Sequence, residues 1–253
     1  MRNEGNRPLT ARSIVASTLL GTHPPRMPAA LLVKSCELFG VRENAARVAL
    51  TRMVAAGELT VDDGRYELVG RLRERQFRQD RSRRGLDAAT PWDGSWQLAV
   101  ITGDARLPTA RAELRRSLVQ HRFAEWREGV WARPDNLDLT RVRELAACAL
   151  VHGCHPPDPK ALAARLFAVD GWARDARQLM TSLRDMQRQL RPGDPTALAA
   201  SFVLSAAVLR HLQADALLPI ELAPSRWPGE RLRQRYEDFD QTFQSIWRTH
   251  LRG

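Results

Sequence analysis

Residues 40–69 constrain the architecture of this chain more than any other stretch. They read Gly40-Val41-Arg42-Glu43-Asn44-Ala45-Ala46-Arg47-Val48-Ala49-Leu50-Thr51-Arg52-Met53, then Ala56-Gly57-Glu58-Leu59, then a short alternating segment. Ala46, Leu50 and Met53 recur at i, i+4 and i+7, so a helix through them has one apolar side that must pack against neighbours. Gly57 stands where such a helix needs a left-handed residue just past its end. Leu59-Thr60-Val61 and Arg65-Tyr66-Glu67-Leu68-Val69 flank Asp63-Gly64, a dipeptide suited to a tight hairpin turn.

What the helix leaves unburied is basic and polar. Asn44, Arg47 and Thr51 lie on its other faces, with Val48 beside them. A reader of duplex DNA needs these residue types: arginine for guanine edges or phosphates, asparagine for adenine, and valine or threonine methyls for the thymine methyl. Helix and hairpin together have the pattern of the recognition helix and wing of a winged helix-turn-helix. On that reading Arg42, Asn44, Arg47, Val48 and Thr51 are the candidates for groove and backbone contacts. Arg52 and Arg65 are candidates for phosphates, with Arg65 near the wing tip. The expected partner is a double-stranded DNA operator; a winged domain used only for protein contacts is the plainer alternative.

Charge agrees with a nucleic-acid partner. The 253 residues carry a net charge of +10, unevenly placed. Residues 1–85 hold 16 Lys/Arg against 9 Asp/Glu, while the remainder holds 23 against 20. A basic front end on a nearly neutral body suits a DNA-binding head on a regulatory or dimerising body. Met1 to Pro8 contains no apolar run, so no secretory signal is expected. The longest apolar stretch, Ala197 to Leu209, is interrupted by Ser201 and Ser205 and is too short to span a bilayer. Three cysteines argue against a disulfide scaffold and for a reducing compartment. These observations place the chain in the cytoplasm, with no membrane partner.

The rest of the chain divides by pattern. Thr10 to Leu20 is a capped helix, and Pro28 opens a second that Gly40 stops. Seven arginines crowd residues 71–84 (Arg71, Arg73, Arg75, Arg78, Arg81, Arg83 and Arg84), in what reads as a linker, with a second phosphate-binding arm as the alternative. Gln97 to Thr102 is a candidate buried strand, Thr109 to Arg122 a helix, and Trp126 to Ala132 strand-like. Leu139 to Ala149 is read as helix and Ala164 to Val169 as a returning strand, an order that suggests a ferredoxin-like α+β domain. From Gly171 the chain is helical. Pro195 to Ala214 is apolar almost all round, as a central bundle helix would be. Leu232, Tyr236, Phe239, Phe243, Ile246 and Trp247 make the stripe of a last helix, better suited to a core or dimer interface than to a cofactor pocket. The fold expected is therefore α+β and multidomain: a winged helix-turn-helix over residues 1–70, an Arg-rich linker over 71–91, a ferredoxin-like middle domain over 92–170 and an all-α domain over 171–253.

Enzymatic chemistry finds little support. The chain lacks GxGxxG, a Walker loop, HExxH and GxSxG. The ferredoxin-like pattern is similar to that of small CRISPR-associated metal-dependent nucleases, and Asp104 ends the Gln97–Asp104 stretch where a metal ligand would stand. A phosphodiesterase site wants further oxygen ligands, and no second acid appears at a telling spacing. Cys148, His152, Cys154 and His155 put four soft or borderline zinc ligands in eight residues. Their spacing is not that of a knuckle, since Cys148 and His152 would share a helix face and Cys154 adjoins His155. No enzyme and no cofactor are expected.

Three stretches in series resemble one family, the PaaX-type transcriptional repressors. The first is the helix around Arg47-Val48-Ala49-Leu50-Thr51-Arg52-Met53. The second is Trp92-Asp93-Gly94-Ser95-Trp96 with Leu114-Arg115, Leu118, Phe123, Gly129-Val130-Trp131 and Pro134. The third is Asp215, Leu218-Pro219, Glu221-Leu222, Pro224, Trp227-Pro228-Gly229, Leu232 and Tyr236. The resemblance implies a winged-helix head, a ferredoxin-like middle domain and a helical C-terminal domain in a homodimer. It also implies a repressor of a catabolic operon that a small acyl-CoA effector releases, phenylacetyl-CoA in the name-giving members. The sequence departs from the family around Phe123, where Arg122 and Ala124 stand in place of flanking glycines. Arg174, Arg177, Arg226 and Arg231 are among the arginines suited to coenzyme A phosphates, and nothing in the sequence selects one set.

Overall fold

The computed structural model of the chain describes residues 9–85, 92–102, 108–137, 145 and 147–252. Helices dominate it, with two small sheets and a helical C-terminal region. Its residues cluster into two compact units built from interleaved segments. The first gathers Met1–Asp80, Thr181–Leu209 and Arg235–Gly253; the second gathers Arg81–Met180 and Arg210–Gln234.

In the first unit Thr10 caps α1 (Ala11–Leu20), its side chain accepting from Ser13 N at 3.2 Å. β1 (Arg26–Pro28) precedes α2 (Ala29–Glu37), and α3 spans Glu43–Ala55. The hairpin follows as β2 (Leu59–Asp62) and β3 (Arg65–Leu68), with strand order β1-β3-β2 and antiparallel pairing throughout. Asp63 and Gly64 both take positive φ, 46° and 65°, as a turn with two left-handed central residues requires. Ala46, Leu50 and Met53 are buried under α3, together with Ile14, Leu19 and Leu32 from α1 and α2.

The Arg-rich segment is a helix, α4 (Gly70–Arg84). Its buried side is largely polar: Leu72 is joined by Gln76, Gln79 and Ser82. Gln76 Nε2 donates to the carbonyls of Leu20 at 3.1 Å and Thr22 at 3.0 Å, satisfying backbone oxygens that the end of α1 leaves open.

The second unit holds a four-stranded antiparallel sheet. β4 (Trp96–Ile101) leads through α5 (Pro108–Gln120) to the pair β5 (Ala124–Arg127) and β6 (Val130–Pro134), and β7 spans Cys148–Cys154. The order is β5-β6-β4-β7. Ala99 and Trp131 face Leu114 and Leu118 of α5, whereas Trp96 and Ala132 face Leu162 and Ala163 of α6 (Pro159–Leu166). Two sequence expectations fail here. Cys148 and Ala149, read as the end of a helix, begin β7, because β4 offers them a ladder running from Ile101↔Cys148 to Trp96↔Cys154. Ala164 to Leu166, read as a returning strand, belong to α6, which starts on an Asp158 cap and Pro159 in the first turn.

Three long helices complete the chain: α7 (Val169–Gln189), α8 (Pro195–Gln213) and α9 (Gly229–Arg252). In the first unit Phe39, Phe202 and Trp247 pack in series, the first pair tilted and the second stacked, with centroids 5.1 and 5.3 Å apart. Tyr236, Phe239, Phe243 and Trp247 are buried, so the aromatic stripe of α9 is core. The run Ala197 to Leu209, expected to be too short to span a bilayer, lies within a longer helix: among the described residues α8 is long and apolar enough to cross a membrane by length and composition. Its burial is one-sided: Leu198, Ser201, Phe202, Ser205, Val208 and Leu212 are buried while Val203 is 48% exposed. The expectation of a helix buried all round is thus corrected. The buried positions recur at helical spacing, and Ser205 Oγ meets Tyr236 OH at 2.8 Å.

Gly85 closes α4 in the second unit with φ +69°, and a Cβ there would lie 2.4 Å from Arg233 Nε. Gly85→Ala therefore adds a left-handed penalty to a clash with a buried side chain. The expected loss is at least about 1 kcal/mol, read as a lower urea midpoint at unchanged slope.

Candidate nucleic-acid interface

α3 is anchored by the short side chains and methionine it buries, and this fixes which residues turn outward. Arg42, Asn44, Arg47, Val48, Thr51 and Arg52 are all exposed, and Val48 is 48% exposed despite being apolar. Arg42 is the N-cap residue of α3 and makes no side-chain cap bond. The open backbone N–H groups of that first turn favour an anion such as a phosphate. Arg65, the first residue of β3, is exposed beside the Asp63-Gly64 turn. All seven sequence candidates therefore lie on the surface of one helix and one hairpin of the first unit.

Local contacts hold two of them. Arg47 Nε donates to Glu43 Oε1 at 2.7 Å, one helical turn away, with both side chains more than half exposed. Thr51 Oγ1 donates to Arg47 O at 3.2 Å, which occupies the hydroxyl proton of an exposed residue. The hairpin is braced by Arg26, whose Nη2 meets Asp62 Oδ2 at 2.8 Å, and its base by the Arg12–Glu58 pair. Glu43 was missed in the sequence, although its i, i+4 spacing to Arg47 is a legible cue.

The remaining candidates do not assemble into a second site. Asp104 lies outside the described residues. Cys148, His152 and Cys154 sit on β7, a strand rather than the helix face expected for Cys148 and His152, and His155 follows in the next loop. His152 Nδ1 instead meets Asp135 Oδ2 at 2.7 Å, and Gln97 Nε2 lies 3.0 Å from His152 Nε2. Among the described residues no group of three or more His, Cys, Asp or Glu is placed to hold a metal ion.

Sequence reasoning also missed the arginines that the second unit buries wholly or in part. Arg122 takes φ +67°, the conformation that a glycine at this point adopts freely. Its guanidinium donates to Gln213 O and to Ser82 Oγ, the latter at 2.9 Å. Burial pulls the Arg122 pKa down to about 10 against the attraction of Asp215. Arg133, 1% exposed, donates to Pro134 O, His121 O and Asn136 Oδ1, and burial pulls its pKa down to about 9. These side chains are struts, since neutral oxygens occupy them.

Two family models match the sequence, the PaaX-like protein over residues 10–72 and the PaaX protein central Cas2-like domain over residues 89–152. No match was found among curated proteins. Among solved structures, the uncharacterized protein Rv0674 from Mycobacterium tuberculosis is similar. It is 37% identical, the match covers 95% of this chain and 98% of that one, and the TM-score is 0.72. With the matched segments falling on the first helices and hairpin and on the following sheet, the chain belongs to the PaaX-type family of transcriptional regulators.

Proposed function

We propose that the protein is a sequence-specific DNA-binding repressor of a catabolic operon, acting as a homodimer and released by a small acyl-CoA-type effector. The observation that carries this reading is the exposed set Arg42, Asn44, Arg47, Val48, Thr51 and Arg52 on a helix whose opposite side is core. The order α1-β1-α2-α3-β2-β3 with a three-stranded sheet supports a winged helix-turn-helix over residues 1–70. Strand order β5-β6-β4-β7 around α5 supports a ferredoxin-like domain over 92–170, reached through the Arg-rich segment 71–91 and followed by a helical domain over 171–253. The protein is read as a cytoplasmic regulator rather than an enzyme. Two recognition helices in the dimer meet the major groove about 34–36 Å apart, or at a multiple of that spacing.

A gel-shift titration against duplexes from upstream of the protein's own gene and its neighbours tests this, at two salt concentrations and with or without acyl-CoAs. Phosphate contacts from Arg42, Arg52 and Arg65 in each protomer predict a slope of log K against log salt on the order of −5. Specific binding that an acyl-CoA abolishes is the expected result. Salt-insensitive or sequence-blind behaviour turns the winged domain into a protein-interaction module, and cleavage of the probe in Mg²⁺ restores the nuclease.

A further inference from the structure

The sequence of α8 calls for burial on every side, and the protomer covers one side. Between Asp194 and Arg210 the helix carries no charged residue. Its inner face is held by Phe202 against Phe39 and Trp247, and by Ser205 against Tyr236. Thr196, Ala200, Val203, Ala207 and Arg210 lie on the opposite face, since they fall half a helical circle from Ser205. Ala200 and Val203 are exposed there, Val203 by 48%. A helix that is apolar all round is ordinarily covered all round.

The outward residues also keep a strict spacing. Thr196, Ala200, Val203, Ala207 and Arg210 follow one another at intervals of four, three, four and three, the repeat by which one helix lies along another. Length and composition alone would equally suit a bilayer. The charges at the two ends decide between the occupants. Asp194 is exposed, with Oδ1 accepting from Thr196 N and Ala197 N at 3.0 Å. Arg210 is exposed in the last turn of α8. Neither has an ion-pair partner among the described residues. They are separated by about 24 Å along the helix, and Val203 lies one residue from their midpoint. Two copies of α8 crossing antiparallel at Val203 therefore bring Arg210 of each copy to Asp194 of the other. Parallel copies would set Arg210 against Arg210, and hydrocarbon offers nothing to either charge.

We propose that this face is where two copies of the chain meet: α8 pairs antiparallel with α8 of a second copy, with an apolar seam centred on Val203 and an Asp194–Arg210 ion pair at each end. Such a patch is self-complementary about a two-fold axis. The proposal rests on the homodimer in the regulator reading above and names its interface. It uses none of the residues read for DNA, so the operator and the second copy do not compete for one surface.

Sedimentation of the full chain across micromolar concentrations tests it, in wild type, Val203→Glu, Arg210→Glu and Arg210→Glu with Asp194→Asn. All three positions are exposed and asparagine caps a helix as aspartate does, so unchanged thermal midpoints are expected of the variants. Wild type should be a dimer. Val203→Glu puts an unpaired carboxylate from each copy at the centre of the seam and should weaken association at least tenfold. Arg210→Glu, at the rim and away from the core, should weaken it by setting two carboxylates together at each end, and adding Asp194→Asn should recover part of that loss. A wild-type dimer that both Val203→Glu and Arg210→Glu leave intact overturns this interface and keeps the homodimer of the regulator reading. Weakening by Arg210→Glu that Asp194→Asn does not relieve overturns the antiparallel pairing. A wild type that stays monomeric at every concentration removes the homodimer and this interface together. If that monomer floats with phosphatidylcholine vesicles and Val203→Glu does not, the face belongs to lipid.

Discussion

Asp215→Ala is expected to destabilise the protein by about 3–5 kcal/mol, the range for breaking a buried ion pair from one side. Arg233 Nη2 meets Asp215 Oδ2 at 2.7 Å, and both side chains are buried. The other carboxylate oxygen, Oδ1, accepts from Leu217 N at 3.0 Å, in a turn where Leu217 takes φ +52°. Arg233 Nε also donates to Ser82 O at 3.0 Å. Asp215 attracts the part-buried Arg122 as well, so one carboxylate answers two cations withdrawn from water. Its removal strands both guanidinium groups and frees the turn, whereas a surface pair contributes about 0–1 kcal/mol. Urea unfolding reads the change as a shift in midpoint at constant slope. The companion variant Asp215→Leu with Arg233→Met removes both charges and should recover part of the loss, because apolar replacements of a whole buried pair are often neutral. A single Asp215→Ala loss below about 1 kcal/mol would show that water reaches this pair and that it is no strut.

How much of this was legible depended on the range of the interactions involved. α3 and its hairpin were readable because their determinants are local: the Ala46, Leu50, Met53 spacing, Gly57 with φ +67°, and the Asp63-Gly64 turn. β7 was not. Cys148-Ala149-Leu150 has no strong strand preference of its own, and the ladder with β4, distant in sequence, makes it a strand. The α6 cap at Asp158-Pro159 was present in the sequence, and the returning strand expected over Ala164–Val169 obscured it. Arginine gives the clearest case of the limit. An arginine ordinarily reads as solvated, yet Arg122, Arg133 and Arg233 are fastened by carbonyls and a carboxylate from other parts of the chain. The departure at Arg122 was visible as a missing glycine, but its positive φ and its partners Gln213 and Ser82 were not.

Arg47→Ala is expected to weaken operator binding by about 1–3 kcal/mol, roughly 5- to 150-fold, and to relax specificity at the base pair it reads. Arg47 is exposed and alanine favours helix, so the substitution should leave α3 folded and its effect belongs to binding. Its present partner offers little resistance to the change of role. The Glu43–Arg47 pair is more than half exposed on both sides, and an exposed i, i+4 pair contributes about 0.3–0.5 kcal/mol. Moving the guanidinium from Glu43 to a guanine edge or phosphate therefore gives up little. Glu43→Gln consequently has the opposite expected sign: it frees Arg47 and removes a negative charge from the first turn of α3, where a phosphate would approach. Operator affinity should rise modestly, most at low salt. Arg47→Lys separates charge from geometry, since lysine keeps the phosphate attraction and loses the planar fork that a guanine edge requires. If Arg47 reads a base, Lys should resemble Ala on the operator and wild type on random duplex. If it holds a phosphate, Lys should resemble wild type on both, and the salt slope of Arg47→Ala should fall by about one. Equal affinity of wild type and Arg47→Ala on both duplexes removes Arg47 from the interface. The outward face of α3 would then need its specificity from Asn44, Val48 and Thr51 alone.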